Sequence, residues 1–302
     1  MMTKEQSRQW KRAGDKIAEA VQTDPGGRGL LSGRITTPTA ALLQSLEDVP
    51  RAVLLTGFPV RLPDGTVVGE TDGPSGLANI AWALEQTGTA VRALTDRTCC
   101  RQLEAAMQAR GCLTVPEMIP QDRRELFLEE LFAAFAPSHL ITLERPGKAK
   151  DGHFYNMRGG MIDPMITDTD CIMETARRRG VSVISVGDGG NELGMGALRQ
   201  LIRERVPLGD LICADAPADI ALVSGVSNWW GWGIAAFLSL IHEKDLLPSP
   251  ETERAMLHAV TVSGGADGCT ARIEDTVDGL PPEVHLAVLD KVRKAAGSDP
   301  AQ

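Results

Sequence analysis

Two acidic residues lie in the glycine-rich stretch SVGDGGNELGMG (185–196), at the end of the β-branched run 181–186. A turn of this kind between a strand and a helix exposes backbone N–H groups and normally favours an anion. Here Asp188 and Glu192 add negative charge, and no Lys or Arg occurs from 181 to 198. The dinucleotide fingerprint also fails, because Glu192 stands where its third glycine belongs. The stretch therefore favours a cation, either a metal ion or an ammonium group.

Further acidic residues follow other predicted strands. The stretch GETDGPSG (69–76) contains Glu70 and Asp72 just before a helix that begins with a proline, and Glu144 lies at the end of another apolar run. Carboxylates gathered at one edge of a sheet match the oxygen-rich coordination of Mg²⁺ or Mn²⁺, with Ca²⁺ as a further candidate. We therefore expect a divalent metal bound by some or all of a set of five acidic residues. These residues are Glu70, Asp72, Glu144, Asp188 and Glu192.

A purely structural interpretation of the same residues is also open. Asn191 is a good N-cap residue, and Glu192 one position later would complement the dipole of the helix that follows. Asp72 is likewise well placed to cap the helix after it. In that case the acids stabilise helix ends and do no chemistry.

A second segment, ERPGKAKDGHFYNMRGG (144–160), mixes charged and aromatic residues after a predicted strand. We expect this loop to bind an acidic substrate, since functional residues are commonly placed on loops. Asp151 and His153 are candidates for proton transfer, and Asp188 is the third candidate catalytic residue. Candidate substrate-binding residues are Lys148, Lys150, Asn156 and Arg158 in this segment, and Asn228 in the stretch GVSNWWGWG (225–233). The three tryptophans of the latter stretch either wall a pocket or make a subunit contact.

The elements that position these loops are predicted from short apolar runs with helical segments between them. The predicted strands are 52–56, 90–94, 139–143, 181–186, 211–214 and 222–226, and a hairpin is predicted over 60–68. This alternation predicts an α/β fold with a mainly parallel sheet covered by helices on both faces. The candidate loops all follow strands at their carboxyl ends, where such sheets place the ligand crevice.

Composition excludes several classes of function. The net charge is −9 and no Lys/Arg-rich run occurs, so we expect binding neither to nucleic acid nor to an anionic membrane surface. The six cysteines form no C-x-x-C pair, which favours reduced thiols and a cytoplasmic location. The first twenty residues contain no apolar region typical of a signal peptide, and no apolar stretch reaches eighteen residues.

The length of 302 residues accommodates one large α/β domain, and we predict a single domain over 1–302. An N-terminal helix is expected at about 3–21, and a frayed tail at about 296–302. A homo-oligomer is compatible with the sequence.

Five separated motifs resemble the D-glutamate cyclase family. In chain order they are TGFPV with GETDGP, ERPGKAKDGHFYNMRG, GDGGNELGMG and GVSNW, and the resemblance extends from about residue 53 to residue 286. It implies a lyase that converts D-glutamate to 5-oxo-D-proline with loss of water, and a chain that corresponds to the stand-alone catalytic portion of larger relatives. One departure is Trp230, which stands where the family pattern would have a glycine.

The implied reaction makes demands that the candidate residues meet in more than one way. The ammonium group must lose its protons, the side-chain carboxylate must be neutralised, and the departing oxygen must receive a proton. Either a divalent metal or the cationic residues of 148–158 would polarise the carboxylate. Two other functions use the same residues: a metal-dependent phosphatase-like hydrolase, and a non-catalytic module that binds carboxylates.

Overall fold

A computed structural model describes residues 4–298. Its main sheet has six strands, all parallel, in the order β5-β4-β1-β6-β7-β8. A separate antiparallel hairpin, β2 with β3, leaves the sheet after β1. The strands are β1 (Arg51–Thr56), β2 (Pro59–Arg61), β3 (Val67–Gly69), β4 (Ala90–Thr95), β5 (Glu117–Met118), β6 (His139–Leu143), β7 (Ser182–Gly187) and β8 (Ile220–Val223).

Helices pack on both faces of this sheet, as the sequence predicts. Along β1, Ala52 and Leu54 belong to one hydrophobic cluster, and Val53 and Leu55 belong to another on the opposite face. The helices are α1 (Lys4–Val21), α2 (Thr39–Leu46), α3 (Pro74–Gln86), α4 (Cys100–Arg110), α5 (Arg124–Phe135), α6 (Cys171–Arg178), α7 (Arg199–Arg205), α8 (Gly209–Ile212), α9 (Asn228–His242), α10 (Pro250–Val262) and α11 (Pro282–Ala296). Because both faces are covered, the strands are continuous apolar runs and show no alternation of polar and apolar residues.

The strand order identifies the edge at which a ligand crevice forms. Without the hairpin, the sheet has the doubly wound order 3-2-1-4-5-6, in which the direction of winding reverses between β1 and β6. The carboxyl ends of β1, β6 and β7 therefore open onto one crevice, and the loops that follow them carry the candidate acids.

The predicted strands agree with the structure except at the two edges of the main sheet, which are formed by β5 and β8. The run 211–214 was predicted to be a strand, which is wrong, since its first two residues belong to the single-turn helix α8. A four-residue apolar run does not distinguish a strand from a buried turn of helix. The last strand ends at Val223, before the predicted limit, and the two-residue edge strand β5 gave no apolar pattern. The predicted hairpin is confirmed.

The ends of the described chain are helical. Helix α1 occupies most of the predicted N-terminal helix. Helix α11 continues to Ala296, and residues 299–302 of the predicted frayed tail lie outside the described residues. None of the helices in the described part combines the length and apolar character required to cross a membrane.

Candidate active site

Three buried carboxylates meet at the carboxyl edge of the sheet. Asp72, Glu144 and Asp188 each place one oxygen within 4.8 Å of the others. They come from the loops after β3, β6 and β7, and each is at most 3% exposed. Glu70, from the same loop as Asp72, is also buried and lines the adjoining cavity. The structure thus brings together four of the five predicted metal ligands.

Asp72 and Asn228 connect the starts of two helices to this group. Asp72 accepts hydrogen bonds from the backbone N–H groups of Ser227 (2.9 Å) and Asn228 (2.8 Å), at the start of α9. Asn228 Oδ1 in turn accepts from Gly73 (2.9 Å) and Gly76 (2.7 Å), at the start of α3. Asp72 therefore caps the start of α9, and Asn228 caps the start of α3. The positive ends of both helix dipoles face the carboxylates. This engagement leaves Asn228 with a structural role, and its predicted contact with substrate stays a prediction.

Glu144 has an unusual backbone conformation at the centre of the group. Its φ of +46° lies in the left-handed region, which non-glycine residues seldom adopt. Its backbone N–H donates to Val186 (3.3 Å) and its carbonyl accepts from Gly57 (3.2 Å). Gly73, with φ +105°, packs so closely that an added Cβ would lie 3.3 Å from the Glu144 Cβ. Strained backbone held in this way is typical of functional sites.

Arg28 reaches the group from the loop between α1 and α2, and the sequence did not reveal it. Its Nη1 lies 2.8 Å from Asp188 Oδ1, and its Nη2 forms an ion pair with Asp278, which precedes α11. The side chain is 17% exposed. Nothing in the spacing of the segment DPGGRGLL (24–31) connects it with β7, because the contact joins residues 160 positions apart.

Burial and repulsion between neighbouring carboxylates both disfavour the charged forms of the acids in this group. Burial, followed by repulsion from neighbouring carboxylates, raises the pKa of Glu70 and Glu144 well above the usual range. Burial raises the pKa of Asp72 to about 7, with Asp278 adding to the effect. Burial also raises the pKa of Asp188, although Arg28 opposes the shift. A bound divalent cation would offset this repulsion.

Unpartnered oxygens provide a test of whether a metal fits this site. Glu144 Oε2, in the three-carboxylate group, is buried and has no hydrogen-bond partner among the described residues. Buried polar atoms without partners are uncommon and call for an explanation such as a water or an ion. Hard oxygen donors that lack partners suit Mg²⁺, Mn²⁺ or Ca²⁺. The residues present therefore fit a divalent metal held by Asp72, Glu144 and Asp188.

A cavity of about 220 Å³ adjoins the acids. Its walls combine acidic, basic and apolar groups: Arg28, Phe58, Glu70, Glu144, Asn156, Met157, Arg158, Asn191, Gly268 and Cys269. Two of the predicted substrate-binding residues, Asn156 and Arg158, are among them. The Arg158 guanidinium is exposed and donates to the carbonyl of Cys269 (2.8 Å). This position leaves a cation at the edge of the cavity, where a carboxylate of a small ligand can reach it.

The structure places the other residues of the basic loop away from the cavity walls. Lys148 forms an ion pair with Asp168 at 2.5 Å, and Lys150 is exposed. Asp151 accepts from the Tyr155 hydroxyl (2.7 Å), and His153 Nδ1 lies 3.1 Å from Asp163. The exposed positions of Asp151 and His153 give no support to a role in proton transfer, which stays a prediction, as does substrate binding by the two lysines.

Glu192 has a structural role in the turn after β7. Its carboxylate accepts the backbone N–H groups of Asp188 (3.0 Å), Gly189 (2.7 Å) and Gly190 (2.7 Å). An added Cβ at Gly187 would collide with this side chain, which explains one of the glycines in the motif. The turn therefore does hold an anion, and that anion is Glu192 itself. The structure does not place it in the three-carboxylate group, so its predicted metal ligation has no support from geometry.

Asn191 is not the helix cap of the structural interpretation. The chain continues without a helix to the 3₁₀ turn at Gly196–Leu198, and α7 follows it. Asn191 Nδ2 instead donates to the carbonyl of Tyr155 (2.8 Å) and joins the turn to the basic loop.

This arrangement predicts a stability effect. Replacing Glu192 by alanine leaves three buried N–H groups without their carboxylate, so the free energy of unfolding should fall by about 3 kcal/mol. Glu192→Gln retains an acceptor and should lose about 1 kcal/mol. Urea denaturation of both variants, in EDTA, measures the difference. If Glu192→Ala unfolds like the wild type but has lost divalent metal binding, Glu192 is a ligand and the structural role is wrong.

Comparison with known families agrees with the resemblance seen in the motifs. The chain matches the family described as "D-glutamate cyclase-like, C-terminal" over residues 17–293. The chain belongs to this family. A curated relative, "D-glutamate cyclase, mitochondrial" of Homo sapiens, is 30% identical over 321 aligned positions, which cover 93% of this chain. This D-glutamate cyclase-like chain spans about half (52%) of the length of that relative.

Two solved structures resemble this family member more remotely. An exopolyphosphatase-related protein from Bacteroides fragilis aligns with a TM-score of 0.39 and 11% identity, over 87% of this chain and 62% of the other. The UDP-glucose 4-epimerase of Thermus thermophilus, in complex with NAD, aligns with a TM-score of 0.27 and 18% identity, over 62% of this chain and 48% of the other. Neither value indicates more than a partial likeness.

Trp230, the departure from the family pattern, is buried in the core. Its indole N–H donates to the carbonyl of Val223 (2.9 Å), and its ring packs near Phe237. It is not among the residues that line the cavity. Trp230 therefore contributes to the packing of α9 on the sheet and not to the cavity wall, and all three tryptophans of the stretch are at most 1% exposed.

Proposed function

We propose that this chain is a lyase that cyclises D-glutamate to 5-oxo-D-proline with loss of water, with a divalent metal at the three-carboxylate group. The observation that carries the proposal is the position of Asp72, Glu144 and Asp188 beside a cavity of about 220 Å³, in a member of the D-glutamate cyclase-like family. The cavity is of a size for one small amino acid, and its walls include both acidic and basic groups.

The chemistry of the proposed reaction defines what the site must supply. The amino nitrogen attacks the side-chain carboxyl carbon, a C–N bond forms, and one carboxylate oxygen leaves. Of the three ammonium protons, one remains on the ring nitrogen and two leave with the oxygen as water. The ring closure is intramolecular, so proximity comes from the substrate, and the protein must provide charge and proton control.

Metal ligation is the first of these contributions. Asp72, Glu144 and Asp188 would hold Mn²⁺ or Mg²⁺, with Ca²⁺ as a further candidate. When bound, such an ion neutralises and polarises a carboxylate that is otherwise unreactive toward a nucleophile. The caps at the starts of α3 and α9 keep Asp72 in place, and the Ser227 N–H donates to Asp188.

The remaining cavity residues bind and orient the substrate. Arg158 offers a guanidinium fork at the cavity edge, which suits a carboxylate. Glu70 Oε1 is unpartnered and belongs to a cavity-lining side chain outside the three-carboxylate group. This oxygen is placed to hydrogen-bond the ammonium group and to exchange a proton with it. Glu70 is thus a further candidate for proton transfer, beside Asp151, His153 and Asp188.

A substitution at the cavity edge tests substrate binding. Arg158→Ala should raise the KM for D-glutamate by about tenfold or more, because a charge-assisted hydrogen bond to a carboxylate contributes about 1.5–3 kcal/mol. Stability should change little, since the side chain is exposed. Arg101→Ala is the matched control: it removes an exposed arginine of α4 that does not line the cavity. Equal KM values for Arg158→Ala and the wild type would show that Arg158 is ordinary surface.

One experiment distinguishes the cyclase from the two other candidate functions. A phosphatase-like hydrolase would use the same metal to bind a phosphate ester, and a binding module would need no reaction at all. Purified protein is incubated with D-glutamate, L-glutamate and a phosphate monoester, each with Mn²⁺ and with EDTA. Metal-dependent loss of water from D-glutamate supports the cyclase. Phosphate release would favour the hydrolase, and binding of glutamate without conversion would favour the module.

Partners and location stay predictions made from the sequence. We expect a small acidic substrate and neither nucleic acid nor a membrane as a partner, and a homo-oligomer stays a possible assembly. The cytoplasmic location also stays a prediction, since the name of the human relative gives a mitochondrial location for that protein only.

A further inference from the structure

Arg28 joins the three-carboxylate group to a carboxylate that lies outside it. One guanidinium nitrogen contacts Asp188, a proposed metal ligand, and another contacts Asp278. Asp278 belongs to a two-residue turn: Val277 and Leu280 pair as antiparallel neighbours, and Asp278 and Gly279 have φ values of +57° and +73°. Asp-Gly is a preferred sequence for a turn of this type. The turn therefore holds a carboxylate firmly beside Arg28.

A metal ion and Arg28 need the same carboxylate. Asp188 Oδ1 faces Arg28 at 2.8 Å, while Oδ2 accepts the Ser227 N–H at 3.2 Å. Two cations that share one carboxylate repel each other, and this repulsion is large in a buried site. Asp278 weakens the competition because it attracts Arg28 and adds a compensating negative charge.

We propose that Arg28 is a built-in competitor that lowers the affinity of the site for divalent metal, and that Asp278 sets the strength of this competition by holding Arg28. The proposal rests on the proposed function, because it takes Asp72, Glu144 and Asp188 to be the metal ligands. It assigns a role in metal affinity to two residues that belong neither to the three-carboxylate group nor to the motifs of the family resemblance.

The proposal predicts changes of opposite sign for the two partners. Arg28→Gln should tighten Mn²⁺ binding by about tenfold or more, because the competing charge is gone. Asp278→Asn should weaken it by about tenfold, since Arg28 then depends on Asp188 alone. Asn-Gly favours the same turn as Asp-Gly, so the backbone at 278 is preserved. If the pair only held loops together, both substitutions would loosen the site and both would weaken binding.

Arg205→Gln is the matched control. Arg205 holds the same loop as Arg28, but it bonds the backbone carbonyls of Leu30 (3.2 Å) and Gly33 (2.8 Å) instead of a carboxylate. The substitution changes the net charge by the same amount and disturbs the same loop. Its effect on Mn²⁺ binding should stay within about twofold, because its charge lies outside the acid group.

The experiment measures the dissociation constant of Mn²⁺ for the full chain from the loss of the free-ion electron paramagnetic resonance signal. Tighter binding by Arg28→Gln, weaker binding by Asp278→Asn and little change in Arg205→Gln support the proposal. Unchanged or weaker binding by Arg28→Gln overturns it, as does equal tightening by Arg205→Gln. If Arg28→Gln does not fold, Arg28→Gln/Asp278→Asn replaces it, with two amides in place of the ion pair. The double variant must bind Mn²⁺ more tightly than Asp278→Asn alone, and the reverse order overturns the proposal.

Turnover of D-glutamate, measured separately, distinguishes this proposal from the proposed function. A wild type that binds Mn²⁺ but does not convert D-glutamate overturns the cyclase and leaves the competition intact. A wild type that converts D-glutamate, with Arg28→Gln no tighter in Mn²⁺ binding, overturns the competition alone. Absence of Mn²⁺ binding by the wild type overturns the competition together with the metal site.

Discussion

Replacing Asp188 by asparagine should lower kcat/KM for D-glutamate by more than about a hundredfold, on the order of 3 kcal/mol in transition-state stabilisation. Asp188 is 1% exposed, belongs to the three-carboxylate group and forms the ion pair with Arg28. Asparagine retains its size but carries no charge, so the site would lose one of its proposed metal ligands and Arg28 would lose one partner. Steady-state kinetics with saturating Mn²⁺ measures the effect.

Asp96→Asn provides the matched control for this substitution. Asp96 is also a buried aspartate after a strand of the same sheet, and it contacts an arginine, Arg145, at 2.8 Å. It is not a member of the three-carboxylate group. Its loss should lower stability, as expected for a weakened buried ion pair, and leave kcat/KM within about threefold of the wild type. Equal losses of activity in the two variants would show that Asp188 acts through stability and not through chemistry.

Saturation with Mn²⁺ should raise the melting temperature by about 5 °C, and EDTA should remove the increase. At an ion concentration a hundred times the dissociation constant, binding to the folded state alone adds about 2.7 kcal/mol to the free energy of unfolding. For a chain of this size, each kcal/mol shifts the melting temperature by about 2 °C. A melting temperature that responds neither to Mn²⁺, Mg²⁺ and Ca²⁺ nor to EDTA would contradict the metal site.

The melting temperature should also depend on pH, in a direction that the raised pKa values determine. Burial, with Asp278 adding to it, raises the pKa of Asp72 to about 7, so the folded protein binds more protons than the unfolded chain between about pH 4 and 7. Stability in EDTA should therefore fall as the pH rises through this window. The increase in melting temperature on Mn²⁺ addition should be larger at pH 8 than at pH 5.5, because protons compete with the metal.

The gathering of the acids was predictable from the sequence because it follows from topology. Parallel strands end at one edge of the sheet, and Glu144 and Asp188 directly follow β6 and β7, while Asp72 follows the hairpin that leaves the sheet after β1. No knowledge of side-chain contacts is needed for that step. Arg28 and Asp278 come from loops between helices, and no periodic pattern places such loops over a particular strand.

The roles of Glu192 and Asn228 were beyond sequence reasoning for a different reason. The sequence of a glycine-rich turn is the same whether its carboxylate or amide side chain binds a ligand or the backbone. Glu192 satisfies three N–H groups of its own turn, because no helix follows directly to satisfy them. Asn228 caps α3, which begins 154 residues earlier in the chain, so its partner depends on the packing of two helices.

The main proposal is that the three-carboxylate group, with a bound divalent metal, converts D-glutamate to 5-oxo-D-proline. It is tested most directly by removing metal from the purified protein, adding Mn²⁺ back in steps, and following the product by proton nuclear magnetic resonance. We expect no product without metal, and product formation that rises with bound Mn²⁺ and then levels off as the site fills. A rate of 5-oxo-D-proline formation that is the same in EDTA as with Mn²⁺, or no product at any Mn²⁺ concentration, would contradict it.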